Sequence, residues 1–250
     1  MKRLMLALIL ALLASPVGAE KLASTVSTSS VQITSSFDGA TLSFFGTIEP
    51  DEPGIALIGH YNVVVVVTGP LQDRVARLKT NNFGIWSNTE QVVFRQFPSF
   101  YQVLSSGDLD TIASNEVLTN TGVLPEQQAE EAAQTTGPRG ALFGAQLIRI
   151  MTQQGHFGVD EKAVQFLSAT AYTAKVTLPS DVANGTFIAH TLVLKDGDVV
   201  AERSEGFSVR KTGFENFVFA SSRRQPLLYG LVCVMLAIGT GWLAGVVFRR

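Results

Sequence analysis

The stretch from Pro226 to Phe248 places the strongest constraint on this chain, because its 23 residues include no charged side chain. As an α-helix, at about 1.5 Å per residue, it would be roughly 35 Å long, enough to cross a hydrocarbon core of about 30 Å. A backbone inside lipid must satisfy its own hydrogen bonds, so we expect a helix over this stretch. The sequence therefore predicts a C-terminal transmembrane helix.

The first 19 residues have the composition of a secretory signal peptide. Lys2 and Arg3 are basic, and the apolar run Leu4–Ala14 that follows is too short to span a membrane. Val17-Gly18-Ala19 provides small residues for signal peptidase, which predicts cleavage before Glu20. An uncleaved N-terminal anchor is the alternative.

The signal peptide decides the expected topology, because an arginine pair flanks each end of the membrane helix and the charge rule alone is ambiguous. We expect residues 20–210 to lie in the periplasm and residues 211–225 to form a linker. Residues 226–248 would cross the bacterial inner membrane once, leaving 249–250 as a cytoplasmic tip.

Charge and cysteine content limit the partners of the exported part. The chain has 19 basic and 21 acidic residues; without the two basic residues at each terminus, 15 basic residues remain against 21 acidic, a net charge of −6. This balance argues against nucleic acid and against broad docking on anionic lipid. The single cysteine, Cys233, lies in the predicted membrane helix, so the exported part has no disulfide, thiolate metal site or cysteine nucleophile.

Residues on either side of 107–168 show the patterns of β-strands. Val63–Val67 is a continuous β-branched run, which favours a strand buried on both faces. A turn signal around Asp38-Gly39 separates two strand patterns and predicts a hairpin, and Asp196-Gly197 predicts another near the C-terminus. The sequence thus indicates a mainly β, immunoglobulin-like sandwich interrupted by a helical insertion at about 107–168.

Three helical segments are predicted within the insertion. Pro125–Gln134 is polar, and we expect it to bury little surface. Asp160 is a candidate N-cap for a helix through Leu167. Ala141–Gln153 is expected to bury one face of a helix, formed at three-residue steps by Leu142, Ala145, Ile148 and Met151.

Several segments resemble an alphaproteobacterial family of putative transmembrane proteins with no assigned activity. They are Val66-Val67-Thr68-Gly69-Pro70, Gly84-Ile85-Trp86-Ser87-Asn88, Pro98-Ser99-Phe100-Tyr101 with Val103 and Ser105-Ser106, and the end from Gln225-Pro226 through Trp242-Leu243-Ala244 to Phe248-Arg249-Arg250. The resemblance covers nearly the whole mature chain and implies a membrane location. It also implies a possible association with permeases of the sulfite-exporter type.

No pattern of catalytic, metal-ligating or cofactor-binding residues stands out. His60, His156 and His190 lack metal-ligand spacing to one another or to a carboxylate. No Gly-x-Ser-x-Gly motif or Gly-rich phosphate loop occurs. We therefore expect no catalytic residues, no metal site and no cofactor, and a protein that is not an enzyme.

An aromatic cluster between Phe83 and Tyr101 is the best candidate for recognition outside the membrane. Tryptophan and tyrosine suit interfaces because an apolar ring carries a hydrogen-bonding end. If the cluster is a recognition surface, its contact residues are Trp86, Asn88, Ser99, Phe100 and Tyr101. The alternative is that these rings fill the core of the sandwich.

The membrane helix carries a stripe of small residues. Ala237, Gly241 and Gly245 are four residues apart and share one face, a spacing that lets a second helix approach closely. We expect contact there with a polytopic membrane protein or with a second copy of the chain; neutral filler is the alternative.

These features favour a single-pass inner-membrane protein with a periplasmic interaction domain. The family resemblance implies an accessory role beside a sulfite-exporter-type permease. Two other functions remain open. A tethered solute-binding module would need an apolar cleft, and a membrane-tethered hydrolase would need a polar pocket with a histidine or paired carboxylates.

Overall fold

The structure, a computed structural model, describes residues 21–34, 37–49, 59–135, 137–212 and 214–247. The predicted signal peptide and cytoplasmic tip lie outside them. The strands are β1 (Lys21–Val26), β2 (Ser30–Ile33), β3 (Ala40–Glu49), β4 (Tyr61–Thr68), β5 (Leu71–Asn82), β6 (Ile85–Pro98), β7 (Tyr101–Ser105), β8 (Phe157–Asp160), β9 (Val164–Phe166), β10 (Ala171–Leu178), β11 (Gly185–Lys195) and β12 (Asp198–Lys211). The helices are α1 (Leu109–Ile112), α2 (Asn115–Asn120), α3 (Pro125–Ala132), α4 (Pro138–Gln153), α5 (Phe214–Arg224) and α6 (Pro226–Val247).

Two sheets pack face to face, and helices cover the outer face of the larger one. The smaller sheet has the order β1-β3-β10-β9, and the larger has the order β2-β12-β11-β4-β7-β8. Pairing is antiparallel except for β2 with β12 and β7 with β8. The mainly β sandwich with a helical insertion and a C-terminal apolar helix is therefore confirmed.

Strand β4 explains why the larger sheet can support two cores. Val63, Val65 and Val67 face the smaller sheet, whereas Val64 and Val66 face the helical layer. Alternate side chains of a strand point to opposite faces, so a valine run suits a strand covered on both sides. At roughly 1.5–3 kcal/mol for each fully buried side chain, this strand makes a large contribution to both cores.

One predicted hairpin is confirmed and one is wrong. Strands β11 and β12 are joined at Asp196 and Gly197, whose φ angles of 53° and 95° suit a tight two-residue turn. Strands β2 and β3 do not pair with each other: β2 pairs with β12 in the larger sheet, and β3 pairs with β1 and β10 in the smaller. The chain crosses between sheets at the turn signal, as it often does in sandwiches.

The insertion differs from the prediction after residue 156. The segment predicted as a helix from Asp160 to Leu167 forms β8 and β9, because pairing with β7 and β10 overrides the local pattern. In α4 the buried face is rotated: Leu142 and Ala145 are exposed, whereas Met151 is buried as expected.

The polar segment Pro125–Gln134 buries more than predicted. Its helix α3 places Pro125, Ala129 and Ala132 in the core, and the Gln134 backbone N–H donates to the Val93 carbonyl at 2.9 Å. Alanines provide the contact surface, so a segment with few large apolar residues still fills part of the second core.

Residues 211–225, predicted as a linker, are mostly helical. Helix α5 precedes α6 directly, and helical hydrogen bonds lie on both sides of Pro226: Gln225 N–H to the Ser221 carbonyl at 3.0 Å and Tyr229 N–H to the Gln225 carbonyl at 2.9 Å. The β-rich domain is thus connected to the apolar helix by a helical segment.

Candidate functional site

Strands β5 and β6 form a long two-stranded ribbon that extends the central pair β4–β7. The register Thr68↔Tyr101 of that pair continues as Leu71↔Pro98 in the ribbon. Between them, the Gly69 N–H donates to the Phe100 carbonyl at 2.8 Å and the Ser99 N–H to the Pro70 carbonyl at 3.1 Å. The hydrogen-bond ladder therefore runs from the middle of the larger sheet into the ribbon.

The predicted aromatic cluster divides between the cores and the end of the ribbon. Phe100 packs on Phe187 in the sandwich core, with ring centroids 5.9 Å apart. Tyr101 and Phe97 pack on Phe157 in the helical core, with centroids at 5.7 and 5.2 Å. The interpretation of these rings as core is correct for this half of the cluster.

Of the five predicted contact residues, only two are accessible. Ser99, Phe100 and Tyr101 have exposed fractions of 1, 0 and 2% and do not form a recognition surface. They are buried because they lie where the ribbon joins the sheet, between the two cores. Trp86, at 66%, and Asn88 are exposed near the far end of the ribbon.

The ribbon ends in a tight turn at Phe83 and Gly84. Both have positive φ angles, 53° and 84°, as a type I′ hairpin turn requires. Asn81 supports the turn, its side-chain oxygen accepting from the Gly84 N–H at 2.8 Å. Phenylalanine is an unusual residue for this conformation, which asparagine or glycine would adopt at lower cost. Phe83 nevertheless occupies it with its ring fully exposed.

Sequence spacing does not reveal that His156, which is buried, pairs with an exposed carboxylate, that of Asp181. His156 Nε2 lies 3.1 Å from Asp181 Oδ2, although the two residues are 25 positions apart. Among the described residues, neither His156 Nδ1 nor Ser99 Oγ, both buried, has a hydrogen-bond partner, and Ser99 is not accessible to a substrate. The pair connects the start of β8 to the loop before β11.

An open groove of about 480 Å³ is lined by polar side chains from three elements. His60 precedes β4, Asp110 belongs to α1, and Asp196 and Asp198 lie at the β11–β12 turn. Among the described residues, no group of three histidine, cysteine, aspartate or glutamate side chains is placed to hold a metal ion. Ile112 and Ala113 also line the groove, so its wall is mixed, whereas a cleft for an apolar solute is lined mainly by apolar side chains.

Helix α6 is exposed over its lateral surface in the described part of the chain. None of its described residues is buried, and its 22 residues form the one described helix that is long and apolar enough to cross a membrane. Ala237, Gly241 and Gly245 are exposed, and a Cβ added at either glycine would meet no atom within 4 Å. The small-residue stripe is thus accessible to another helix.

A folded β-rich domain followed by one candidate membrane span defines the class: a membrane protein with a single C-terminal span in the part of the chain that the structure describes. A comparison with known protein families agrees with this assignment to membrane proteins. Residues 21–250 match the family described as "Putative transmembrane protein (Alph_Pro_TM)", and the chain belongs to that family. No curated protein matches the chain.

Proposed function

We propose that this chain is a single-pass inner-membrane interaction protein, not an enzyme. Its β-rich domain lies in the periplasm, and α6 packs through its small-residue face against a polytopic membrane protein or a second copy. The observation that carries the proposal is the fully exposed apolar helix α6, joined through α5 to a folded domain.

The domain itself supports an interaction role. Its two most exposed aromatic residues, Phe83 and Trp86, lie at the end of a ribbon that continues from the middle of a sheet, where they contribute to neither core. Large exposed apolar groups of this kind indicate contact with another surface. The signal-peptide pattern supports export of this domain.

A polytopic partner suits an anchor with a small-residue face, because glycines allow the close backbone approach that stabilises helix pairs in lipid. The resemblance described above makes a sulfite-exporter-type permease the first partner to test. An accessory protein of this kind would be recovered with its permease after gentle extraction.

Substituting Gly241 by isoleucine tests the helix contact. The larger side chain keeps the segment apolar, so insertion should be retained, while the partner helix is forced outward. We expect association to weaken by about 1–3 kcal/mol, a magnitude typical of overpacking a close contact. The measurement is recovery of the permease, or of a differently tagged second copy, after affinity purification in mild detergent.

Leu236→Ile is the matched control, because Leu236 lies outside the stripe and its volume is unchanged. Equal recovery of the partner with Gly241→Ile, Leu236→Ile and the unmodified chain would contradict the proposed helix contact.

A further inference from the structure

We propose that the tip of the β5–β6 ribbon, residues 77–89, inserts into the surface of the membrane that α6 anchors, with anionic lipid headgroups as its ligands. This inference goes beyond the proposed function, which concerns contact between helices.

The tip carries one large exposed apolar side chain on each face and one at its end. Cross-strand partners share a face, so Trp86 lies on one face with Asn81, and Ile85 lies on the other with Asn82. Phe83 occupies the end of the turn and is fully exposed. A protein partner bound to a ribbon would cover one face, whereas a lipid interface surrounds the tip and accommodates apolar groups on both.

Basic side chains lie at the level of the headgroups. The segment from Arg74 to Thr89 contains three basic residues and no acidic residue. Lys79 is on the Trp86 face, two residues before Asn81, or roughly 7 Å further from the end at about 3.3 Å per residue. Interfacial segments bury their apolar groups to about 5–10 Å, so this spacing places the ammonium group among phosphates.

The acidic residues nearest the tip are already paired. Asp73 lies 3.1 Å from Arg95, and Glu90 lies 3.3 Å from Arg139 of α4. Arg77 and Lys79 therefore give the tip a local positive charge, although the predicted exported part as a whole is acidic. Attraction to anionic headgroups depends on this local charge because salt screens more distant groups over about 8–10 Å.

The ribbon and the membrane anchor leave the domain at the same end. Ile188 of β11 pairs with Thr68, the last residue of β4, while Gly185 pairs with Val209 near the end of β12. A Cβ at Gly185 would lie 2.9 Å from the ring of Pro70, where the ribbon starts. Strands β4 and β12 are separated only by β11, so the two exits are roughly 10 Å apart.

The ribbon is long enough for this contact. The seven residues from Arg77 to Phe83 lie beyond the buried base at Val92 and Phe94 and span roughly 23 Å, whereas the 11 residues of α5 span roughly 16 Å between the domain and the membrane helix. The reach of the ribbon exceeds the distance that α5 places between domain and bilayer.

Fluorescence of Trp86 in the full-length chain tests the proposal. The chain has two tryptophans, so Trp242→Phe leaves Trp86 as the only one. The protein is reconstituted into vesicles of phosphatidylglycerol and phosphatidylcholine, the latter brominated near the headgroup end of its acyl chains. We expect Trp86 emission at short wavelength, strong quenching by bromine and protection from aqueous acrylamide.

Two variants and a control separate the contribution of the apolar side chains from that of the basic ones. Phe83→Ser with Ile85→Ser should abolish bromine quenching, and Arg77→Glu with Lys79→Glu should weaken it and remove its dependence on phosphatidylglycerol. Leu142→Ser, an equally exposed apolar residue on α4, should leave it unchanged. All of these side chains are exposed, so the thermal midpoint of the domain should be the same in every variant.

Trp86 that remains accessible to acrylamide and unquenched by bromine would overturn the proposal. A short-wavelength shift that depends on protein concentration, without bromine quenching, would also overturn it and indicate a second copy as the occupant. Neither result would alter the expectation for Gly241→Ile.

Discussion

At the scale of single residues, Tyr101 shows how a ring from the aromatic cluster stabilises the fold. Its ring lies in the helical core, and its hydroxyl donates to the Gly122 carbonyl at 2.5 Å. This bond connects β7 to the loop between α2 and α3. Burial, with a smaller contribution from the charge of Glu131, raises the pKa of Tyr101 above its ordinary value.

Tyr101→Phe should destabilise the domain by about 1 kcal/mol, because it removes the hydroxyl's hydrogen bond to the Gly122 carbonyl, which keeps only a longer contact of 3.4 Å from Gln128 Nε2. The free energy of unfolding of the full chain in detergent, from denaturant titration, is the measurement. Ser87→Ala, which removes an exposed hydroxyl, should have no effect. A neutral result for Tyr101→Phe would mean that water replaces the lost donor.

Alkaline pH should destabilise the domain through two buried tyrosines. Burial raises the pKa of both Tyr101 and Tyr172, so the folded state keeps them neutral while the unfolded state ionises near pH 10. Their contribution is fully present below about pH 10 and is lost as the pH rises above it. Thermal midpoints between about pH 9 and 11 should fall, and less steeply for Tyr101→Phe than for the unmodified chain; equal slopes would contradict this assignment.

At the scale of elements, α3 and α4 meet at a contact between small residues. A Cβ added at Gly144 would lie 3.1 Å from the Cβ of Ala129 and 3.7 Å from the ring of Phe94. The helices therefore approach closely above the base of the ribbon, and the polar-looking helix α3 is part of the core.

Ala129→Leu should cost about 1–3 kcal/mol of unfolding free energy, because the larger side chain presses on Gly144 across the close α3–α4 contact. Glu130→Leu, one position along on the exposed side of the same helix, is the control. A denaturation midpoint for Ala129→Leu equal to that of the control would show that the helical layer can shift outward.

The sequence predicts the secondary-structure elements better than it predicts which strands pair with each other. The valines of β4 and the turn at Asp196-Gly197 were recognisable because their patterns are local. The partners of β2 and β3 were not, since a turn signal does not record a crossing between sheets. Phe100 is buried and Trp86 is exposed because the ribbon leaves the sheet between them. No local sequence pattern predicts the position of that exit.

At the scale of the whole molecule, the ribbon and the segment that leads to the apolar helix leave the larger sheet at the same end. This arrangement, together with the predicted signal peptide, leads to a definite expectation for topology. A reporter active only in the cytoplasm should be active when fused after Arg250 and silent when fused after Arg210. The reverse pattern would contradict the proposed orientation.

The short helical connection that α5 makes to α6 has a consequence for binding strength. A long flexible linker would let the ribbon sample a large volume and would lower its effective concentration at any one surface. A short helical segment such as α5 restricts that volume. A contact between the ribbon and the same membrane is then intramolecular, because the anchor already holds the ribbon near the bilayer. Little further translational entropy is lost when the contact forms. An individually weak tip, with three large apolar side chains, is enough for stable occupancy under these conditions.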